Sequence, residues 1–335
     1  MQDKVVTDNL LQKFSQSTVL VIGDVMVDAY LNGSVGRISP EAPVPIVDIQ
    51  ERTYRAGGAA NVAINLQSLG AQPILCSVIG NDAKGELLRE ILQKKHLKTD
   101  YLLPSTFRKT TIKYRVIGNQ RQMLRIDEED VCPLKKEEAA DFLQTVKQII
   151  DNQKVDAIVF EDYDKGVLSK NVIQTIVGWA KAKKIIVTVD PKRKNFSHYQ
   201  GVTLFKPNLK ELKEGLQDED KTFSIETVQQ LMRDFAAEHE IDYLFTTLSE
   251  KGVAMYDRIE DSFFTEPAYL RKISDVSGAG DSVIATATLC LLAGLPIHKV
   301  AQVANLAGGI VCEYNGVTPV HQQQLMDEIH KYNIV

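Results

Sequence analysis

The sequence predicts an α/β protein with a doubly wound, mostly parallel sheet that is flanked by helices and accompanied by a small β-sheet. Short apolar runs of the kind that parallel sheets bury alternate with longer helix-like segments along most of the chain. Several of these runs end in polar residues, at the edge where open α/β sheets bind their ligands. The region from Tyr101 to Glu129 departs from this alternation and has the pattern of a hairpin, which predicts a separate small sheet.

The composition favours a cytoplasmic enzyme. With 335 residues, 44% of them hydrophobic, the chain can bury a full core, and no low-complexity linker divides it, so we expect one domain over residues 1–335. The net charge of −5 argues against nucleic acid as a main partner. Four cysteines without a Cys-x-x-Cys pair predict reduced thiols and no zinc site. Neither a signal peptide nor a transmembrane run is apparent, so no membrane partner is expected.

The first apolar run, Thr18–Gly23, is predicted to be a buried parallel strand. Asp24 and Asp28 follow it at the ligand-binding edge, where carboxylates either contact a ligand or form turns and caps. Prolines cluster just before Val44–Gln50, and proline is confined to strand edges. We therefore predict that Val44–Gln50 is an edge strand of the small sheet.

A glycine pair precedes the first strong helix signal. Arg55–Asn61 is predicted to open a helix that runs to Leu69 and ends at Gly70. The two glycines allow a ligand to approach the backbone closely, and Asn61 could hydrogen-bond a hydroxyl group. Strand Pro73–Ile79 follows, and then a helix.

The hairpin is predicted to consist of strands at Thr110–Ile117 and Gln122–Asp127. Lys113, Arg115 and Arg125 fall at alternate positions, so each strand could hold its basic residues on one face. Such charges either form an ordinary solvated face or belong to a site outside the main sheet.

The second half of the chain resumes the βα alternation. Asn208 and Glu211 share one face at the start of a helix. An amide and a carboxylate there suit Mg²⁺ with its waters, but the same spacing is a capping box, and both interpretations can hold at once. The predicted elements, in order, are helix Lys135–Ile150, strand Val155–Phe160, helix Ser169–Lys183, strand Lys184–Val189, strand Thr203–Phe205, helix Asn208–Leu216, helix Ile225–His239 and strand Ile241–Thr246.

The stretch Asp275–Asp281 precedes an apolar, Ala-rich segment that predicts a buried helix. A Gly-Ala-Gly turn entering a helix exposes unpaired N–H groups and the positive end of the helix dipole, which favour an anion. Asp281 would repel that anion, unless it takes a proton from an attacking hydroxyl group. The alternative is that Asp281 caps the helix.

Three of these stretches together resemble the ribokinase-like PfkB sugar kinases. Asp275–Asp281 fits the C-terminal signature of that family, and Arg55–Asn61 looks like its N-terminal glycine motif. Lys206–Glu211 resembles its Asn-x-x-Glu motif. The resemblance extends from about Ser17 to Thr318. Further stretches look specifically like the heptose 7-phosphate kinases: Gly23–Asp28, Arg37–Pro45, Asp162–Gly166 and Asp190–Lys192. Those enzymes resemble the kinase half of the bifunctional proteins that make ADP-heptose for lipopolysaccharide.

The resemblance implies ATP-dependent phosphoryl transfer to a hydroxyl group of D-glycero-D-manno-heptose 7-phosphate, with Asp281 as the general base and Mg²⁺ held by Glu211 through water. The anion hole would be the backbone of Gly278, Ala279 and Gly280. The nucleotide would be bound by Asn208, Glu211, Ser249, Glu250, Gly252 and Asn305. The sugar phosphate would be bound by Asp28, Gly57, Gly58, Asn61 and Asp162, and its phosphate needs cations, for which Lys113, Arg115, Arg125 and Lys192 are the available cluster.

The resemblance also bears on assembly and cofactors. Segments at about 37–50 and 101–127 would form a β lid, through which relatives often pair, so a homodimer is expected. A monovalent cation such as K⁺ is implied, although Cys312–Gly316 differs from the Gly-Lys-Leu-Gly-Thr expected there. Glu161 replaces a small residue expected before Asp162. His321 and His330 are the last histidines and form no His-x-x-His signature, so we expect no nucleotidyltransferase domain.

Two other functions remain open on sequence alone. One is another PfkB-type kinase for a free or phosphorylated sugar. The other is a catalytically silent sugar or nucleotide sensor, against which the intact Asp281 and its glycine turn argue.

Overall fold

The computed structural model describes residues 2–216 and 224–334. The strands of this part of the chain are β1 (Thr18–Gly23), β2 (Val25–Ile38), β3 (Pro45–Gly58), β4 (Gln72–Gly80), β5 (Leu102–Ser105), β6 (Thr111–Gly118), β7 (Arg121–Glu128), β8 (Ala157–Glu161), β9 (Ile186–Asp190), β10 (Leu204–Phe205), β11 (Tyr243–Thr247), β12 (Val253–Asp257) and β13 (Ser262–Glu266). The α-helices are α1 (Gln2–Ser15), α2 (Ala59–Ser68), α3 (Ala83–Lys94), α4 (Lys136–Asn152), α5 (Lys170–Lys183), α6 (Leu209–Gly215), α7 (Ile225–Glu238), α8 (Ala279–Leu292), α9 (Ile297–Val311) and α10 (Gln322–Lys331).

The main sheet has the strand order β13-β12-β11-β10-β9-β8-β1-β4-β5. From β11 to β5 in this order, each strand pairs in parallel with its neighbours. Strand β12 pairs antiparallel with both β11 and β13. Helices α2, α8 and α9 pack on one face, and α4, α5 and α7 pack on the other. This arrangement confirms the predicted doubly wound α/β sheet, because continuous apolar runs such as β1 are buried from both sides.

The parallel strands fix where the polar residues meet. Strands β1, β8, β9 and β10 are neighbours and run in the same direction, so their carboxyl ends lie at one edge of the sheet. Asp24, Asp162, Asp190 and Lys206 therefore come to the same edge from four separate parts of the chain. The amino end of α8 lies at this edge as well, since α8 packs against β8 and β9.

The second sheet has the order β3-β2-β6-β7 and confirms the predicted small sheet, but its composition corrects three predictions. Residues 25–38 form the long strand β2, so Asp28 lies within a strand of the small sheet and not in a turn at the edge of the main sheet. Arg55–Gly58 ends β3, and the helix begins only at Ala59. Residues 102–105 form β5, which pairs with β4 in the main sheet because Leu102 is buried there, so the second chain segment of the small sheet starts at Thr111.

The strand register places the charged residues of the small sheet on one face. Asp28 is paired with Arg55 of β3 and with Lys113 of β6, and Arg115 is paired with Arg125 of β7. Residues paired across strands, and residues two apart within one, share a face. This confirms the prediction that the basic residues on each strand share one face. The opposite face packs against α2 and α3.

None of the helices in residues 2–216 and 224–334 combines the length and the apolar character that crossing a membrane requires.

Candidate active site

The amino end of α8 is built to receive negative charge. Gly278 precedes the helix with φ 82°, in the left-handed region that glycine adopts at little cost. The N–H of Ala279 donates to Val276 O at 3.2 Å. Within the described residues, the N–H groups of Gly280 and Asp281 have no acceptor and lie at the positive end of the helix dipole. The N–H groups of Gly280 and Asp281 are therefore available to an anion, whereas the Ala279 N–H is used within the turn.

Asp281 is not a helix cap. Its side chain is 4% exposed and accepts hydrogen bonds from Asn61 Nδ2, at 2.6 Å, and from the Tyr163 hydroxyl, at 3.1 Å. Burial raises the pKa of Asp281 from 3.8 to about 6, although the hydrogen bond from Asn61 lowers it, and the charge of Asp190 adds to the increase. A carboxylate with a pKa just below neutrality is suited to accept a proton at pH 7.

Two lysine side chains form ion pairs with acidic residues close to Asp281. Lys206 is 2% exposed, and its Nζ donates to Asp190 Oδ2 at 2.8 Å. Lys192 forms an ion pair with Glu211. A Cβ on Gly280 would lie 3.4 Å from Asp190 Oδ2 and 3.6 Å from Lys206 Nζ, so this ion pair lies directly beside the turn that starts α8. Fixed positive charge next to an anion hole favours phosphate groups.

Asn208 and Glu211 form the capping box that their spacing allows. Asn208 Oδ1 accepts from the Glu211 N–H at 2.9 Å, and Glu211 Oε2 accepts from the Asn208 N–H at 2.8 Å. Both residues also line the cleft described below, and Glu211 Oε1 contacts Lys192. Carboxylate oxygens at the rim of a phosphate-sized cleft are the donors that a hydrated Mg²⁺ prefers. The two interpretations of Asn-x-x-Glu are therefore compatible.

A cleft of about 530 Å³ extends from α8 toward β12 and α9. Sequence reasoning missed some of its wall, notably Tyr269 and Arg271, which lie in an irregular segment without a recognisable motif. Asn305 lines the cleft, but its Nδ2 donates to Pro267 O at 2.8 Å. Every residue predicted for catalysis or nucleotide binding lines this cleft: Asn208, Glu211, Ser249, Glu250, Gly252, Gly278, Ala279, Gly280, Asp281 and Asn305.

The charged face of the small sheet approaches Asp281 from the other side. Asp28 is buried and forms an ion pair with the partly exposed Arg115. A Cβ on Gly57 would lie 2.4 Å from Asp28 Oδ2, so glycine at this position leaves room for the carboxylate. Lys113 lies 5.2 Å from the centre of the Tyr163 ring.

Tyr163 was not predicted as a site residue, yet it connects the two sides of the site. Its hydroxyl reaches Asp281, and its ring lies 5.2 Å from Lys113 Nζ and 5.1 Å from Lys192 Nζ. Burial raises the pKa of Tyr163 well above its usual value, so its hydroxyl remains a hydrogen-bond donor. The stretch Asp162–Gly166 indicated this loop, but the sequence did not show which residue of the loop faces the cleft.

Asp162 and Arg125 are corrections to the predicted sugar site. The Asp162 carboxylate is fully buried and accepts from Asn195 Nδ2 at 2.9 Å and from the Tyr199 hydroxyl at 2.7 Å, so it anchors the loop from behind. Arg125 is exposed and forms an ion pair with Asp127 at 2.9 Å. Asp162 is therefore held behind the loop and Arg125 is paired within its own strand, and neither residue lines the cleft.

Asp24 also has a structural position. Its buried carboxylate accepts from the backbone N–H groups of Tyr163, Lys165 and Val167 at 2.9, 3.0 and 3.1 Å. These bonds fix the course of the loop after β8, and thereby the direction of Tyr163. The turn-forming alternative considered for this residue is the one the structure shows.

The chain resembles a known family over most of its length. Residues 16–323 match the profile of the pfkB family carbohydrate kinases. The bifunctional protein HldE of Methylobacillus flagellatus is 40% identical over 313 residues, which are 93% of this chain and 63% of that protein. The protein of the same name from Helicobacter hepaticus is 37% identical over 314 residues, 93% and 64% of the two chains. The chain thus spans less than two thirds of the length of these curated relatives.

Solved structures share the fold at low identity. Phosphofructokinase-2 from Escherichia coli, in complex with potassium, has a TM-score of 0.78 at 17% identity, over 94% of this chain and 98% of that one. Ribokinase from Arabidopsis thaliana, complexed with ribose and ATP, has a TM-score of 0.73 at 16% identity, over 93% and 98%. These similarities confirm the ribokinase-like fold.

Proposed function

Because this chain belongs to the pfkB family of carbohydrate kinases, we propose that it transfers a phosphoryl group from ATP to D-glycero-D-manno-heptose 7-phosphate. The product would be heptose 1,7-bisphosphate, a precursor of ADP-heptose for the lipopolysaccharide core. The curated relatives are bifunctional HldE proteins, and the sequence resembles the heptose 7-phosphate kinase half of such proteins. The observation that carries the proposal is the position of Asp281 between an anion hole and a face rich in cations.

In the proposed mechanism, individual groups carry the steps of the transfer. Asp281 takes the proton of the attacking sugar hydroxyl group, whose oxygen forms the new bond to phosphorus while the bond to ADP breaks. Asn61 and Tyr163 hold the Asp281 carboxylate in position through their hydrogen bonds. The Gly280 and Asp281 N–H groups, with Lys206, stabilise the charge on the transferring group.

The residues around Glu211 fit a hydrated divalent cation. Glu211 and Asn208 offer carboxylate and amide oxygens at the wall of the cleft. Mg²⁺ bound there, through water, would neutralise charge on the nucleotide phosphates. Glu211 also contacts Lys192, so the Glu211 carboxylate would position the Lys192 ammonium group on the side of the sugar.

The substrate phosphate is assigned to the cations around Tyr163. Lys113 and Lys192 flank the ring of this tyrosine, beside the base. Burial lowers the pKa of Lys113, an energetic cost that an arriving phosphate would offset. Arg115 is engaged with Asp28 and would act mainly by orienting that carboxylate toward sugar hydroxyl groups. A kinase for an unphosphorylated sugar would have no use for the two lysines at this place.

A coupled ADP-release assay tests the proposal with heptose 7-phosphate, fructose 6-phosphate, ribose and adenosine as acceptors. We expect the highest kcat/KM with heptose 7-phosphate. Lys113→Met should raise the KM for heptose 7-phosphate about 10-fold, because one charge-assisted contact is lost, and should leave the KM for ATP unchanged. The exposed Lys98 provides the matched control, Lys98→Met. Preference for ribose or adenosine would refute the sugar-phosphate assignment, and absence of turnover with every acceptor would favour a silent sensor.

We extend the proposal to a homodimer formed through the small sheet. Leu124 and Ile126 of β7 are 54% and 45% exposed, and Ile38 and Val44 add exposed apolar surface at the far end of the sheet. Sedimentation should report a dimer, and Leu124→Glu should shift it toward the monomer.

K⁺ is also part of the proposal, because the potassium-bound neighbour shares the fold. Here the loop before α8 is joined to the loop after α9, since Gly316 N–H donates to Asp275 Oδ2 at 2.9 Å and Ser274 N–H donates to Cys312 O at 2.8 Å. Activity should fall when tetramethylammonium replaces K⁺ at constant ionic strength.

A further inference from the structure

Glu161, the last residue of β8, is a buried carboxyl group without a partner. It is 0% exposed, and within the described residues neither of its side-chain oxygens has a hydrogen-bond partner. Asp190 Oδ1 is unpartnered in the same way. Buried polar groups are nearly always satisfied, so two unsatisfied carboxyl groups in one place require an explanation.

The neighbours of Glu161 are mostly acidic. Glu161 is paired in register with Asp190 on β9, and oxygens of Glu161, Asp190 and Asp281 all lie within 4.8 Å of one another. The cations that face this group are Lys206, which donates to Asp190 Oδ2, and Lys192, whose Nζ lies 3.9 Å from Asp190 Oδ1. Neither of them forms a salt bridge with Glu161.

We propose that Glu161 is a positioning residue, a neutral carboxylic acid that donates its proton to Asp190 and holds Asp281 in place as the ionised base. The proton supplies a hydrogen-bond donor between Glu161 and Asp190, and it satisfies one oxygen of each residue. The other oxygen of Asp190 keeps its ion pair with Lys206, beside the turn that starts α8. The role of Asp281 as the base comes from the proposed function, but the protonation of Glu161 does not depend on it.

The electrostatics agree with this assignment. Burial raises the pKa of Glu161 well above its usual value, and the charges of Asp190 and Asp281 add to the increase. An ionised Glu161 would place a third negative charge next to the base and make Asp281 harder to ionise.

Infrared difference spectroscopy tests the protonation state without any substrate. Burial also raises the pKa of Asp162 to about 7, so the spectra of wild type and variant are compared. At pH 7.5 the wild type should show the C=O stretch of a protonated carboxylic acid that shifts in D₂O, and this band should lose most of its intensity in Glu161→Gln. The exposed Glu90 gives the matched control, Glu90→Gln, which should keep the full intensity. A wild type without the band, or a Glu161→Gln variant whose band is undiminished, would overturn the proposal even if no sugar is phosphorylated.

Kinetics test the positioning role. Glu161→Ala should lower kcat about 10-fold, because it removes a buried hydrogen bond, and Glu161→Gln should recover most of the loss, since its amide can also donate to Asp190. The acidic limb of kcat/KM should remain near pH 6 in Glu161→Gln. A downward shift of more than about one pH unit would show that the wild-type Glu161 is ionised, and would refute the proposal. Nucleotide-independent binding of Mn²⁺ that is lost in Glu161→Gln would also refute it, because such binding requires ionised carboxylates.

Discussion

Replacing Asp281 with asparagine should destroy activity and stabilise the fold at the same time. The pKa of Asp281 is raised from 3.8 to about 6, chiefly by burial. The folded state therefore binds this proton more tightly than the unfolded state does, and stability is lost as the pH rises from about 4 to 6. The difference of about two pH units corresponds to about 3 kcal/mol at neutral pH, since one unit is about 1.4 kcal/mol.

Asp281→Asn removes this cost and keeps an acceptor for Asn61 Nδ2. At pH 7.5 we expect the free energy of unfolding to rise by up to about 3 kcal/mol, and we expect the gain to disappear below about pH 4. The kcat should fall by at least about 100-fold, the usual effect of losing a general base, with little change in ATP affinity. Urea unfolding at both pH values, ADP release and calorimetric ATP titration measure these quantities.

Asp275 provides the matched control on the same loop. Burial alone would raise its pKa, but hydrogen bonds from Ser277 and Gly316 outweigh it, and the pKa of Asp275 is lowered. Its contribution to stability is therefore present at neutral pH and lost in acid, so Asp275→Asn should destabilise the protein at pH 7.5. Near-normal kcat in Asp281→Asn would refute the role of the base, and reduced stability at pH 7.5 would refute the reasoning from burial.

Three further predictions follow from the same site. Glu211→Gln should raise the Mg²⁺ concentration needed for half-maximal rate. The same change weakens the capping box and should lower the free energy of unfolding by about 1 kcal/mol. An unchanged Mg²⁺ titration would show that Glu211 acts only as a capping residue. Tyr163→Phe should move the acidic limb of kcat/KM above pH 6, because the lost hydroxyl donor lowers the pKa of Asp281 in the wild type; an unmoved limb would show that the contact is unimportant. Arg115→Ala should raise the sugar KM by about 10-fold and leave the KM for ATP constant, since Asp28 loses its partner; equal effects on both substrates would argue against a role on the sugar side.

The sequence alone singled out residues that line one cleft. The glycine turn before α8, the Asn208–Glu211 pair and the Ser249–Gly252 turn all line the cleft. These features are local, because each depends on backbone geometry at a strand end or helix start, which a few adjacent residues encode. The order of strands and helices in the second half was predictable for the same reason, since continuous apolar runs are typical of buried parallel strands.

Tertiary structure decided the side of the site that the small sheet and the loop after β8 form. Strand β2 was not recognised from the sequence. Its polar face becomes part of the site only when β3 and β6 pair with β2 and place Asp28 beside Arg115. After β8, the sequence analysis selected Asp162 as the site residue, whereas three hydrogen bonds from the loop to Asp24 turn Tyr163 toward Asp281. The burial of Glu161 next to Asp190 and Asp281 likewise depends on strand register and on the packing of α8. Side-chain direction and proton affinity at this edge are set by contacts between segments distant in the chain, and local sequence patterns carry no record of such contacts.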